Sequence, residues 1–345
     1  MKLNFVKKPE NDLWKLIELL PDKDWNWYFI SRNECITWEI IQKFPDKPWN
    51  YRGISINPNL TWEFIRDNPD KPWDWTGISY NKCITWEIIR DNPDKPWNWQ
   101  YINFNPNITW EIIKNNPDKP WDWHFISYNK NTTLEIIKNN PDKPWDYLGV
   151  SVNPNLKWEY VRDNPDKPWR WETISCNKSI TWEIIRDNPD KPWNWWGISC
   201  NPNITMEIIQ SNPDKPWSLD GISENPNLTW EFIQENQDKP LDWHFISCNK
   251  CITWKIIKDN PDKPWNWVIF GRNPNITWKF IRDNPDKPWD WNYISQNNFN
   301  YTKKLKNYNA RLIQHQVKHW LYSAPNGAMY KKMVKDLQEE GFLRQ

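Results

Sequence analysis

Glycine is scarce in this 345-residue chain, with 8 copies, and so are histidine (4), methionine (4) and cysteine (6). Glycines so few and so scattered exclude a collagen-like or flexible-linker protein and leave no phosphate-binding loop. The histidines (His124, His244, His315 and His319) show neither a Ser-His-Asp order nor a pair at metal spacing. The cysteines are too sparse for a disulfide framework. Cys248-Asn-Lys-Cys251 is a lone C-x-x-C without the second pair that a zinc site needs, so small residues varying in a loop account for it better. Net charge is missing too. With 45 basic and 44 acidic side chains, the formal charge is +1, and no global field draws the chain to nucleic acid or anionic membrane. No apolar run approaches a membrane span. The start, MKLNFVKKPENDLWKLIELL, is charged where a signal peptide needs an apolar core. The expectation is a soluble intracellular protein with no enzymatic activity, no cofactor, no metal and no membrane partner.

Tryptophan and proline are abundant, with 32 and 30 copies. Their cause is a repeat. Asp-Lys pairs of the Pro-Asp-Lys-Pro type start at Asp22, Asp46, Asp70, Asp94 and onward to Asp286, always 24 residues apart. A fixed period of this length means stacked units, a solenoid. All Trp except Trp196 and Trp320 fall into three columns, represented by Trp62, by Trp73 and Trp97, and by Trp75 and Trp99. Their replacements are bulky (Tyr51, Leu134, Met206), which points to core packing rather than an exposed ladder. Asn-Pro-Asn and Asn-Lys alternate after Ile-Ser, a sign of growth by duplicated pairs.

Within a unit, Thr61 is a good helix N-cap, Glu63 suits the first turn and Pro69 stops the helix after about two turns. Asp70 is placed to cap a second short α or 3₁₀ turn, as is Asp94 one unit on. Asn57 and Asn81 belong to an invariant column suited to pairing loop backbone within and between units. These residues are expected to be structural. The fold expected is an all-α solenoid of about twelve units, some 100–120 Å long at helix-packing spacing. It would run over residues 21–296, with an N-terminal half-repeat or cap at 1–20.

The string Ile-Ser-x-Asn-Pro-Asn-(Ile/Leu)-Thr-Trp-Glu-(Ile/Phe)-Ile resembles the leucine-rich variant repeat, also a 24-residue unit. Asn57 and Pro58 match its Asn-Pro, Glu63 its Glu, and Phe64 and Ile65 its paired Leu. The resemblance implies alternating α- and 3₁₀-helices in a right-handed superhelix. The Cys cluster that holds an iron–sulfur centre in one member has no counterpart here. The near-perfect Asn-Pro-Asp-Lys-Pro-Trp units, in a chain rich in Asn, Ile and Lys, are also similar to uncharacterised tandem-repeat proteins of mimivirus-like giant viruses. That resemblance implies a viral source and residence in an infected host's cytoplasm or in a virion.

Residues 297–345 leave the period and carry nine basic side chains against three acidic ones. A basic helical cap is expected there. Ile313-Gln314 with Lys318 matches the first half of a calmodulin-binding motif. The function expected is a non-enzymatic scaffold that binds a protein partner along an extended surface. Two other readings are single-stranded nucleic-acid binding and carbohydrate binding on exposed Trp. Met206, Leu219, Asp220, Gln237 and Leu241 break several columns at once and form a candidate partner patch.

Overall fold

The structure, a computed structural model, describes residues 11–299. Those residues form 24 short α-helices and no strand. They pair into twelve units of one outer and one inner helix. In unit 3 these are Trp62–Asp67 and Trp75–Tyr80. No helix among the described residues is long and apolar enough to cross a membrane.

Each unit is built by local chemistry. Thr61 Oγ1 accepts from Phe64 N–H at 3.4 Å and starts the outer helix. Asn68 ends it, its side-chain amide donating to the Phe64 carbonyl at 3.0 Å. The Asn68 carbonyl then accepts the Trp73 indole N–H at 2.8 Å, which folds the chain back. Trp73 N–H donates to the Lys71 carbonyl at 2.8 Å, a three-residue turn about Pro72. Proline supplies the φ such a turn needs. The inner helix starts after this turn, so Asp70 does not cap it. Asp70 and Asp94 lie exposed in the turn, and Asp74, four residues on, accepts from Thr76 N–H at 3.1 Å.

Units join through two buried polar contacts. Ser55 Oγ accepts from Asp74 N–H of the next unit at 2.9 Å. The Asn81 side chain donates to the carbonyls of Ser55 and Asn57, each at 3.0 Å, while its oxygen accepts from Cys83 N–H. Asn57 makes the same bonds to Ser31 and Asn33. Asn-Pro-Asn units add a second rung, because Asn59 donates to the carbonyls of Glu34 and Ile36. Asn131, in an Asn-Lys loop, makes the same rung, so an Asn at this position sets how many rungs an interface has.

The buried centre is aliphatic. Ile54, Ile78, Ile102 and Ile126 on inner helices and Ile65, Ile89 and Ile113 on outer ones are almost fully covered. Trp62, Trp73, Trp75, Trp97 and Trp99 are half-buried and pack between units, against that centre. The second Trp or Tyr of one unit stands edge-on to the first Trp of the next at 4.8–5.5 Å in eleven of the twelve interfaces.

An open body 100–120 Å long does not form, because the two ends meet. Asn26 N–H donates to Ser295 Oγ at 3.1 Å, as Asn50 N–H does to Ser31 Oγ. Asn33 donates to the carbonyls of Ser295 and Asn297 at 3.1 and 3.3 Å. Trp25 meets Trp291 edge-on at 4.8 Å. The first outer helix, Asp12–Leu19, packs on the twelfth, Trp278–Asp283. The N-terminal segment therefore supplies the outer helix of unit 1 instead of covering a free end. The all-α solenoid is a closed ring of twelve units. The cap expected at 297–345, with its Ile313-Gln314 segment, lies outside the described residues from 300 onward.

Candidate functional site on the inner wall

Neighbouring units touch most closely through their inner helices. Gly53 shows how close: a Cβ there would stand 2.5 Å from the Tyr28 carbonyl oxygen. In a closed ring the more closely spaced layer has the smaller radius, so these helices form the inner wall. Twelve helices set about 8–10 Å apart make a circle roughly 15–19 Å in radius; subtracting a helix radius leaves a bore on the order of 20–25 Å wide.

Ile78 and Ser79 occupy the buried face of their helix. The opposite face carries two positions four residues apart, which helical geometry sets one above the other. The first follows the second Trp of each unit. Over twelve units no residue type recurs there except His, at His124 and His244. The second follows Ser and runs from Arg32 through Tyr80, Phe104 and Cys176 to Gln296. Around these columns the units are nearly identical. Repetition of the scaffold and variation of one face is the pattern of a recognition surface. Exposure agrees. Eight large hydrophobic side chains are exposed among the described residues; five of them (Tyr80, Phe104, Leu148, Trp196 and Val268) occupy these two columns, and Tyr101 lies one position beyond the first.

The wall is not uniform. Across units 3–5 an aromatic arc runs from Tyr80 to Tyr101, Phe104 and Phe125 in successive ring contacts of 6.4, 6.3 and 4.6 Å. His124 continues it, in contact with Phe125 and Tyr128, its Nδ1 bonded to the Asp146 carboxylate. Across units 7–10 one column reads Cys176, Cys200, Glu224, Cys248, with Glu172 and Asp220 beside it. Burial, then Asp242 and Asp220, raises the Glu224 carboxyl above its ordinary range. No group of three or more potential metal ligands occurs among the described residues.

No family model matches the chain, and neither does any curated protein or solved structure. The site therefore stands on its own geometry.

The candidate patch at 206–241 is not one surface. Met206 and Leu241 are buried and Leu219 is half-buried at an interface. Leu219 and Leu241 take the two places that hold an edge-on aromatic pair at every other interface, so both serve packing. Gln237 is exposed and accepts from Lys263 Nζ at 2.7 Å. Of the five, only Asp220 stands on the inner wall. Reasoning from the sequence missed Tyr101, Phe104, Phe125, Leu148 and Trp196. The signal that finds them is residue variation at fixed positions of the unit.

The first Trp column, that of Trp73 and Trp97, offers little to a ligand. The indole N–H groups of Trp49, Trp73, Trp97 and Trp121 are all bonded to backbone carbonyls. The outer gaps between units, such as the cavity of about 650 Å³ beside Trp110, Lys114, Trp121 and Lys143, recur with similar linings around the ring.

Proposed function

We propose that the protein is a non-enzymatic ring scaffold that takes an elongated polypeptide partner against its inner wall. The observation that carries this is the coincidence, on one face, of the variable columns and most of the exposed large apolar side chains. Ring binders need apolar anchors for affinity and charged neighbours for register. The aromatic arc at units 3–5 supplies the first, and Glu172, Asp220 and Glu224 the second. A polypeptide helix about 10–12 Å across enters a bore of the width derived above with room for its side chains.

Nucleic acid fits this wall less well. Phosphate contact needs a positive track. The wall's Arg32, Arg52 and Arg272 are opposed by Glu172, Asp220 and Glu224 and by the helix-capping Asp74, Asp122, Asp146 and Asp242. Sugar stacking on Trp is disfavoured because most of the rings are half-buried and packed against one another. Given the resemblance to giant-virus repeat proteins, the partner is placed in an infected host's cytoplasm or in a virion.

The test is selection of displayed random peptides against the full-length ring, with every isolate re-assayed on Tyr101→Ser/Phe104→Ser/Phe125→Ser. Loss of binding to that variant, with retention by an outer-face variant such as Trp254→Ser, supports the reading. Peptides that bind the triple variant equally well would sink it, as would selective retention of single-stranded RNA by the ring at low salt.

A further inference from the structure

The cysteines that the sequence sets in a C-x-x-C are not the pair that the fold brings together. Cys251 is a half-buried loop thiol whose pKa desolvation pushes up to about 12, and so is Cys83. Cys248 donates to the Phe245 carbonyl. The thiols that meet are 24 residues apart. Cys176 and Cys200 follow the inner helices Trp171–Ser175 and Trp195–Ser199, and their Sγ atoms stand 3.9 Å apart. Gly197 makes room for this contact: a Cβ there would lie 3.0 Å from Cys176 Sγ. Both thiols are half-buried on the bore face.

We propose that Cys176 and Cys200 are a redox-active dithiol that closes to a disulfide and staples units 7 and 8 across the inner wall. A disulfide needs S–S of about 2.0 Å, so closure requires an approach of about 2 Å, shared by two side chains that each swing on one rotor. The protonation pattern is that of an attacking and a resolving thiol. Either thiol can donate across this contact; with Cys200 as the donor, the Cys176 thiol is held below its ordinary range. Cys200 itself is pushed well up, by that same bond, by burial and by the neighbouring Cys176 charge. The oxidant is a low-molecular-weight disulfide. The Cys176 thiolate attacks one of its sulfurs and expels one thiol, leaving a mixed disulfide. Cys200 gives up its proton, attacks Cys176 Sγ and expels the second thiol. Two protein thiols are oxidised and one small disulfide is reduced to two thiols.

The experiment equilibrates the full-length protein in glutathione buffers of rising disulfide content, quenches with iodoacetamide and maps peptides by mass spectrometry. The expected product is a cross-link of the Cys176 and Cys200 peptides, lighter by two hydrogens. The protein then keeps four of its six alkylatable thiols. In Cys200→Ser, Cys176 stops at the glutathione adduct. In Cys176→Ser, Cys200 gains adduct no faster than Cys248. Separate glutathione adducts on both residues of the wild type, a dominant Cys248–Cys251 cross-link, or six free thiols at every ratio would each overturn the assignment.

Discussion

Removing the Asn33 side chain tests whether the ends meet. Asn153 is the reference rung, midway round the ring. Its amide donates to the carbonyls of Ser127, Asn129 and Thr132 at 2.9–3.2 Å, and its oxygen accepts from Asn155 N–H at 2.9 Å. Asn129 O keeps a second donor, Thr132 N–H, whereas Ser127 O and Asn155 N–H lose theirs in Asn153→Ala. Two orphans, one buried and one partly buried, at about 1–3 kcal/mol each give a loss of roughly 2–6 kcal/mol. In the closed ring Asn33→Ala does the same, because Ser295 O, fully buried, and Cys35 N–H are stranded. In an open array Asn33 would sit in a terminal unit facing water, and only its local bond to Cys35 would be lost, about 1 kcal/mol. The assay is urea unfolding of both variants and wild type, followed by Trp fluorescence. Equal shifts within about 1 kcal/mol are expected. A shift for Asn33→Ala below half of that for Asn153→Ala would refute closure.

Four further outcomes follow from the same contacts. Gly53→Ala sets a Cβ against backbone that cannot swing away, so it costs about 1–3 kcal/mol despite the better helix propensity of Ala; thermal melts against Gly271→Ala, whose nearest atom is at 3.0 Å, show the smaller loss for the latter. Ser179 Oγ is buried without a partner where other units carry a reaching Asn, so Ser179→Asn gains the missing rung to the carbonyls of Pro154 and Leu156 and raises stability by about 1 kcal/mol in urea unfolding. Leu219→Trp and Leu241→Trp each strain the one aliphatic interface, but together they restore the edge-on pair, with a favourable coupling of about 0.5–1.5 kcal/mol in a double-mutant cycle. Glu224 has a raised pKa, so its carboxylate form is disfavoured in the fold and stability falls as pH rises through that value; Glu224→Gln is therefore more stable at pH 7, by less than about 1 kcal/mol for this partly exposed group, and the gain vanishes below pH about 4.

What the chain discloses by itself is whatever repeats locally. Thr61, Asn68 and Pro69 bracket the outer helix through bonds that reach four residues at most, and a single sequence records such bonds plainly. The inner helix starts at Asp74 and not at Asp70, because the Lys71–Trp73 turn consumes the residues between them. The invariance of Asn57 and Asn81 marks them as scaffold, but their acceptors, 24 and 26 residues back, appear only once units stack. The pairing of Cys176 with Cys200 is hidden for the same reason. The inner wall was legible in principle. It is the face on which twelve near-copies disagree, although the Trp columns dominate the composition.

Closure itself is a property of differential spacing, which no one unit displays. Twelve units turning through a circle bend by about 30° each, so with layers about 10 Å apart the outer helices must stand some 5 Å farther apart than the inner ones. The buried Ser column makes the short side. Gly53, Gly77, Gly149, Gly197 and Gly221 lie where a Cβ would fall 2.5–3.0 Å from the preceding unit, although that column holds larger residues such as Tyr101 and Phe125 elsewhere. Large residues fill the long side. Trp97 is met by Trp62 at 6.0 Å and by Trp75 at 5.1 Å, three indoles in one gap. The tryptophan content is thus the volume of a wedge, written once per interface. A unit built with Leu in those columns would leave voids that the outer layer collapses to fill, and the bend per unit would fall below what twelve units need to meet. The single Leu219/Leu241 interface is tolerable because eleven others hold the angle.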